Sequence, residues 1–472
     1  MTDQRSLPQP AQNPAPSHAS RNGGVKGWLL LAVAALGLAA LMAVLLVAAR
    51  TPGIAGMLAG RIAFADALVL HVNFSILVWC LALAAALWCW FSPSRTLVGA
   101  LPLGLAGSGA LLMLLTPLLS GPGNAITSNY VPVLQQDAYL LGLGLFATGA
   151  VTAALRFLWT GRYWHWPESH QQTLRLGLAS VALTVVVAAL ILVLALVKLP
   201  MDLAPASFYE QLFWGSGHVL QIAYAQLMAL AWLWLARLGG MRPAVSPAVI
   251  ASWQALGVLP VAMALLVALS GSPQDSSYFR AFTWMMMASG YWLLPLIAVL
   301  MVQLVTTVNT ERNGARLALG ISMALCVAGA VLGSLIRDDS LLVPAHYHAA
   351  TGAVTIALMG LTFRLLPKLG GHPPGRRWQT LQLGIYGSGV ALMAAGLAWS
   401  GGHGLARKTP GEPLNEAALG GMAMMGLGGL AAIMGVLLFV MLMWLALGSR
   451  QTMVVRRFSV HRPPTGDNAD GS

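Results

Sequence analysis

Four of the ten histidines, His71, His218, His346 and His348, fall within or at the mouth of long apolar runs. An imidazole is costly to bury there unless something binds it, and ionisable groups inside apolar spans mark functional sites. Imidazole is a common ligand for metals and for haem iron, so histidines on separate helices point to a metal or haem held between them. His346 and His348 are two residues apart, about 200° around a helix at roughly 100° per residue, and so point to opposite faces. One helix can thereby serve two different ligands. His18, His165, His170, His372, His403 and His461 fall in tails and loops and read as solvent-facing.

The elements that must carry the four histidines follow from composition. Hydrophobic residues make up 57% of the 472 and charged residues only 8%, with mean hydropathy +0.73. Soluble chains carry about a quarter charged residues, so this is an integral membrane protein. A soluble enzyme, a fibrous protein and a disordered chain are excluded, and the net charge of +12 does not point to nucleic acid, because the basic residues sit mostly in short loops between apolar runs. Runs of the roughly 20 residues that a helical crossing needs recur along the chain. None alternates in polarity as a membrane strand would.

The fold class is therefore all-α, a polytopic bundle of twelve transmembrane helices. They are expected at approximately 27–49, 64–91, 97–120, 134–159, 171–199, 210–238, 246–270, 281–309, 316–336, 346–368, 378–400 and 418–448. Residues 1–26, rich in Pro, Gln, Asn and Ser, read as a disordered cytoplasmic tail, 27–448 as the membrane domain and 449–472 as a cytoplasmic C-terminal tail. The polar segment before the first run is too long for a typical cleaved signal, so that run reads as a retained span. Cys80, Cys89 and Cys326 lie inside spans and read as small core residues.

Of the 26 basic residues, seven (Arg50, Arg61, Lys198, Arg280, Arg337, Arg407 and Lys408) lie on one side of these spans and the rest on the side of the N-terminus. Positive residues accumulate on the cytoplasmic side, which places both termini there, in a bacterial-type inner (plasma) membrane. Helices 2, 6 and 10 then all enter from the outer side. At about 1.5 Å per residue the four imidazoles share one depth, roughly 10 Å inside the outer boundary. Asp66, Asp137, Thr306 and Thr307 read as interface or helix-packing groups.

Several stretches resemble subunit I of the haem-copper oxygen and nitric oxide reductases (cytochrome c oxidase and the nitric oxide reductase large subunit). His346-Tyr347-His348, followed by Gly352-Ala353-Val354, Met359-Gly360 and Pro367, is similar to that family's His-x-His helix. His71-Val72-Asn73-Phe74 stands where the family places its other low-spin haem ligand. Trp214-Gly215-Ser216-Gly217-His218 resembles the approach to the first copper ligand, and Gly404-Leu405-Ala406-Arg407-Lys408 resembles the basic pair that holds haem propionates.

The resemblance implies that His71 and His348 ligate a low-spin haem, that His346 ligates a high-spin haem, and that His218 faces the second haem from its distal side. His218 and His346 would be the catalytic pair. Arg407 and Lys408 would neutralise propionates, unless they are simply a solvated loop, and His403 is close enough to that pair to touch a propionate. Trp214 either packs beside the haem or sits in an interfacial aromatic belt. An electron-donor subunit or cytochrome at the outer face, membrane lipid, and O2 or NO as substrate are the partners implied.

The chain departs from that family in three places. The adjacent histidine pair expected on helix 7 is missing, and the segment reads Ala264-Leu265-Leu266-Val267-Ala268-Leu269, so no three-histidine copper or non-haem iron site is encoded. The position four residues after His218 is Ile222, while Tyr224 falls on another face, leaving Gln221 and Glu210 as the polar neighbours expected at His218. No lysine occurs between Lys198 and Lys368, so the family's lysine proton pathway has no counterpart. Two readings follow. One is an oxidoreductase of aerobic respiration, passing electrons from a low-spin to a high-spin haem where O2 or NO is reduced. The other is a haem protein without turnover, serving electron transfer, gas sensing or assembly. A twelve-span transporter fits the topology alone, but neither broken helices at the midplane nor an internal repeat is apparent in the sequence.

Overall fold

The computed structural model describes residues 23–49, 64–92, 97–121, 123–161, 167–241, 245–307, 314–369, 371–407 and 416–448. Arg50, Arg61, Lys408, the first 22 residues and the tail 449–472 lie outside them.

The long helices are α1 (Gly23–Ala49), α2 (Phe64–Phe91), α3 (Leu97–Leu119), α4 (Asp137–Thr160), α5 (His170–Lys198) and α6 (Pro205–Leu238). They continue with α7 (Pro247–Ser270), α8 (Ser276–Thr306), α9 (Gly314–Ser334), α10 (Leu342–Leu365), α11 (Arg376–Gly402) and α12 (Glu416–Gly448). Among the described residues, eleven are long and apolar enough to cross a membrane. The twelfth is α10, whose 24 residues would span about 36 Å. His346, Tyr347, His348 and Arg364 lower its hydropathy. A chain in hydrocarbon must satisfy its backbone N–H and C=O groups internally, which is why these runs are helices.

The first helix starts at Gly23, four residues before the expected 27. A common depth for the four histidines requires helices that start from one plane, and the helix starts differ. α6 begins at Pro205, not 210, because a proline is well suited to a helix's first turn. Residues 205–207 of that turn are exposed. α10 begins at Leu342, not 346, so both of its histidines lie inside the helix.

Consecutive helices pack in pairs, most extensively α11 with α12, α1 with α2, α9 with α10, α3 with α4, and α5 with α6. The first helix also packs on the last, and α6 packs directly on α10. Small residues allow the closest approach: a Cβ at Gly428 would sit 2.7 Å from the Gly389 carbonyl oxygen, so α11 and α12 touch backbone to backbone.

Three helices are irregular. Residues Asn73–Val78 of α2, just after His71, form a π-helical segment, a feature frequent at functional sites. Contrary to the sequence expectation, two helices are broken. α7 is interrupted at Gly257–Val258 and α8 at Trp292–Leu293. Pro260 and Pro295 stand just beyond the breaks, and each removes the N–H that would have continued the ladder. The Gly257 carbonyl is instead taken by the Gln226 side chain (3.0 Å).

Between α3 and α4 lies a strap, residues 120–136. Its short strands β1 (Ala125–Ile126) and β2 (Val133–Leu134) pair antiparallel, a small addition to an otherwise all-α fold.

Candidate functional site

His71 on α2 and His348 on α10 lie near enough that the charge of His71 acts on His348. His71 Nδ1–H donates to the Ala39 carbonyl of α1 (2.8 Å), and His348 Nδ1–H donates to Pro344 one turn back (2.7 Å). A carbonyl can only accept, so these bonds place the proton on Nδ1 and leave the lone pair on Nε2. Neither Nε2 has a hydrogen-bond partner among the described residues, and both rings are only half-buried. A fixed tautomer with Nε2 presented is how a metal-ligating imidazole is prepared.

His346 turns the other way. Its Nδ1–H donates to the Gly329 carbonyl of α9 (2.7 Å), and a Cβ at Gly333 would come within 2.6 Å of its Nδ1. Glycine at 333 is what lets the ring lie against α9. The two histidines of α10 thus take opposite faces, as their spacing requires, and His346 too presents an Nε2 with no hydrogen-bond partner among the described residues.

His218 is different. It is buried, and both ring nitrogens are engaged: Nδ1–H donates to Trp214 one turn back (2.7 Å), and Nε2 accepts from the Tyr130 hydroxyl (2.8 Å). Tyr130 belongs to the strap. Gly217 opens the notch it fills, since any Cβ there would collide with the Tyr130 ring. Glu210 fastens the neighbouring residue, accepting from the Asn129 backbone N–H (3.0 Å) and side-chain amide (2.6 Å). Burial first, and then the Glu210 carboxylate, push the Tyr130 phenol above its ordinary range, so it stays protonated and able to donate. Trp214 packs on the His218 ring with centroids 4.8 Å apart and donates to Phe279 (3.2 Å).

Tyr130 is the residue that sequence reasoning missed. Gln221, expected beside His218, is exposed, and Glu210 reaches the histidine only through Asn129 and Tyr130. Two signals could have found it: an inter-helix connection far longer than usual with a tyrosine in its middle, and a glycine inside a helix, a costly choice that marks close approach. Where the helix 7 histidines would stand, Ala264 and Ala268 pack with Val219, Ile222, Tyr278 and Phe282 in an apolar cluster. No cluster of three or more His, Cys, Asp or Glu that could hold a metal occurs among the described residues.

The strap also reaches α2. Asn73, two residues after His71, donates to the Pro132 carbonyl (2.7 Å) and bonds the Tyr139 hydroxyl (2.9 Å), while buried Asp66 accepts from Gly123 N–H (2.9 Å). One segment therefore ties the His71 helix to the His218 helix.

At the same end of the bundle, residues 405–407 lie against the entry to α10. Leu341 N–H donates to Leu405 (3.1 Å), Arg407 N–H donates to Asp339 (3.0 Å), and Ser340 bridges Ala406. This clamp brings the Arg407 guanidinium to the Asp339 carboxylate and to Asn129 Oδ1 (3.5 Å), within electrostatic reach of Tyr347. His403 donates to Trp399 (2.7 Å) and is exposed.

The donor chemistry fits haem at three of the four histidines, each with Nδ1 anchored and Nε2 presented. It does not fit a second metal at His218, whose Nε2 is taken and which has no cluster of further His, Cys, Asp or Glu ligands among the described residues.

The model of the family of cytochrome c and quinol oxidase polypeptide I matches residues 25–437 of this chain. An uncharacterized protein of Rickettsia prowazekii (strain Madrid E) is 26% identical over 496 residues, which covers 89% of this chain and 95% of that one. An uncharacterized protein of Aquifex aeolicus (strain VF5) is 27% identical over 354 residues, covering 73% and 84%.

Proposed function

The chain belongs to the cytochrome c and quinol oxidase polypeptide I family, whose members bind haem, and from that membership and the histidine geometry we propose that it is an electron-transferring oxidoreductase subunit of a respiratory chain. Electrons enter from a cytochrome or donor subunit and end on O2 or NO. His71 and His348 hold a low-spin haem and His346 holds a second haem on the opposite face of α10. The Arg407 end of the bundle is the outer face of a bacterial-type plasma membrane, with both termini cytoplasmic.

Haem held at these histidines supplies reversible one-electron storage and, with a single protein ligand, an open position for a diatomic gas. The chain's own residues do the rest. Ala39 and Pro344 carbonyls fix the tautomer and orientation of the paired imidazoles, and Gly329 does so for His346. Arg407, with Lys408 beside it in sequence, offers positive charge for propionates where charge-assisted bonds are strong. Trp214, Phe279 and Phe282 keep the surroundings of His218 apolar.

The observation that carries this reading is the His71–His348 pair, two imidazoles from separate helices with anchored Nδ1 and presented Nε2. Purified protein is expected to show a Soret band and the spectrum of a six-coordinate bis-histidine centre. That spectrum should be lost in His71→Ala and in His348→Ala and retained in His346→Ala. Protein without haem, or a spectrum indifferent to His71 and His348, refutes it.

The capped His218 and the apolar Ala264–Leu269 segment favour a second reading, a haem protein without turnover that conducts electrons, senses gas or assists assembly. Consumption of O2 or NO by purified protein with a reduced donor, abolished by His346→Ala, decides for the enzyme; haem with no consumption decides for the second.

A further inference from the structure

We propose that the Tyr130 hydroxyl takes the place of a second metal at His218, so that a gas bound at the His346 site meets a metal-free phenol–imidazole pair held by the strap. This rests on the reading of His346 as a haem ligand; the metal-free character of His218 does not.

Four independent features place the pair. The Nδ1–H of His218 is spent on Trp214, so only Nε2 could bind a metal, and that atom accepts from Tyr130 at 2.8 Å. Gly217 leaves the space that the Tyr130 ring fills, which makes the contact a built one. Glu210 holds Asn129 by two bonds, fixing the strap beside the tyrosine. The helix that would donate further ligands contributes Ala264 and Ala268 to an apolar cluster. A single imidazole with its lone pair occupied and no companion ligand does not retain copper, zinc or iron. Because α6 packs on α10, His218 sits on a helix in contact with the one that carries His346, and the strap holds Tyr130 against His218. With haem at His346, such a metal-free side would offer a bound gas hydrogen-bonding groups of the protein, Tyr130 and His218, in place of a second metal.

Two measurements test this. In the first, purified holoprotein is assayed for copper and non-haem iron as isolated, and again after incubation with copper(I), copper(II) or iron(II) followed by desalting. Far less than one retained metal per chain is expected throughout. A stoichiometric metal that disappears in His218→Ala overturns the proposal, whether or not the protein carries haem. In the second, the C–O stretching frequency of the reduced protein's carbon monoxide complex is compared among wild type, Tyr130→Phe, His218→Ala and the double variant. A shift in Tyr130→Phe that is not enlarged in the double variant is expected, because the two side chains act as one unit. No shift in either single variant removes the pair from the gas site. If no carbon monoxide complex forms, the haem reading fails and the metal assay still decides the nature of His218. If Tyr130→Phe does not fold, the wild-type metal assay decides alone.

Discussion

Trp253 and Trp292 stack face to face across the two broken helices, with ring centroids 4.0 Å apart and planes 4° from parallel. Each indole N–H donates to the other residue's backbone carbonyl, at 2.8 and 2.7 Å. Pro260 and Pro295 leave α7 and α8 without continuous ladders, and this reciprocal clasp takes up the carbonyls of both segments near the breaks. Trp253→Phe or Trp292→Phe removes one hydrogen bond at a half-buried carbonyl, a loss of about 0.5–1.5 kcal/mol. Thermal denaturation in detergent should show a similar loss for each single variant and a sub-additive loss for the pair.

Gly217→Ala separates the notch from the rest of helix packing. The added methyl cannot coexist with the Tyr130 ring in its observed place, so the phenol must leave His218 Nε2. The variant is expected to reproduce the vibrational shift of Tyr130→Phe with haem content unchanged. Gly144→Ala is the control, because nothing lies within 4 Å of that position, and it should be neutral or slightly stabilising.

Tyr130 also makes a prediction about alkaline pH. Its folded pKa is raised by burial and by Glu210, so the folded state keeps a proton that the unfolded chain releases near the ordinary value of about 10. Stability from this group is complete below that pH and declines as pH rises above it. Denaturation midpoints of wild type and Tyr130→Phe should therefore differ by a constant up to about pH 10, with wild type losing more above it. Parallel curves at all pH values would contradict the raised phenol.

What could be read in the sequence follows from which interactions are local. The membrane helices were legible because apolar length alone dictates them, and the opposed faces of His346 and His348 because helix periodicity dictates that. The breaks in α7 and α8 were missed although Pro260 and Pro295 were in plain sight, because proline is tolerated in membrane helices when other groups re-satisfy the backbone. Here the Gln226 amide does so at Gly257, a contact between residues 31 apart. The missing histidine pair was legible as an absence of residue types. Tyr130 was not, since it reaches His218 from a loop 88 residues away and no periodicity relates the two.

Arg407 and Asp339 form an ion pair at the surface, where such pairs contribute about 0–1 kcal/mol. Arg407→Gln should thus barely move the denaturation midpoint. If Arg407 neutralises a propionate, the same variant should lose haem faster during dilution or mild heating, measured as haem per chain. Asp339→Asn, which frees the guanidinium, should retain haem at least as well as wild type. A variant Arg407→Gln that keeps haem as firmly as wild type leaves the arginine a clamp for the 405–407 segment only.

Asn73 links the strap to the histidine helix, and its loss should be felt on both. Its amide is buried and donates to Pro132 and Val69 while bonding Tyr139. Asn73→Leu keeps the volume and strands the Pro132 carbonyl and the Tyr139 hydroxyl, at about 1–3 kcal/mol for each buried group left unpaired. The strap is then held by Asp66, Glu210 and His218 without its α2 anchor near His71. Two readouts separate the consequences. A cysteine placed at the strap by Thr127→Cys should react faster with a membrane-impermeant thiol reagent when Asn73→Leu is added, showing that the strap has loosened. The bis-histidine spectrum should broaden in the same variant if loosening the π-helical turn that starts at Asn73 disturbs His71, two residues before it. Faster labelling with an unaltered spectrum would confine Asn73 to the strap.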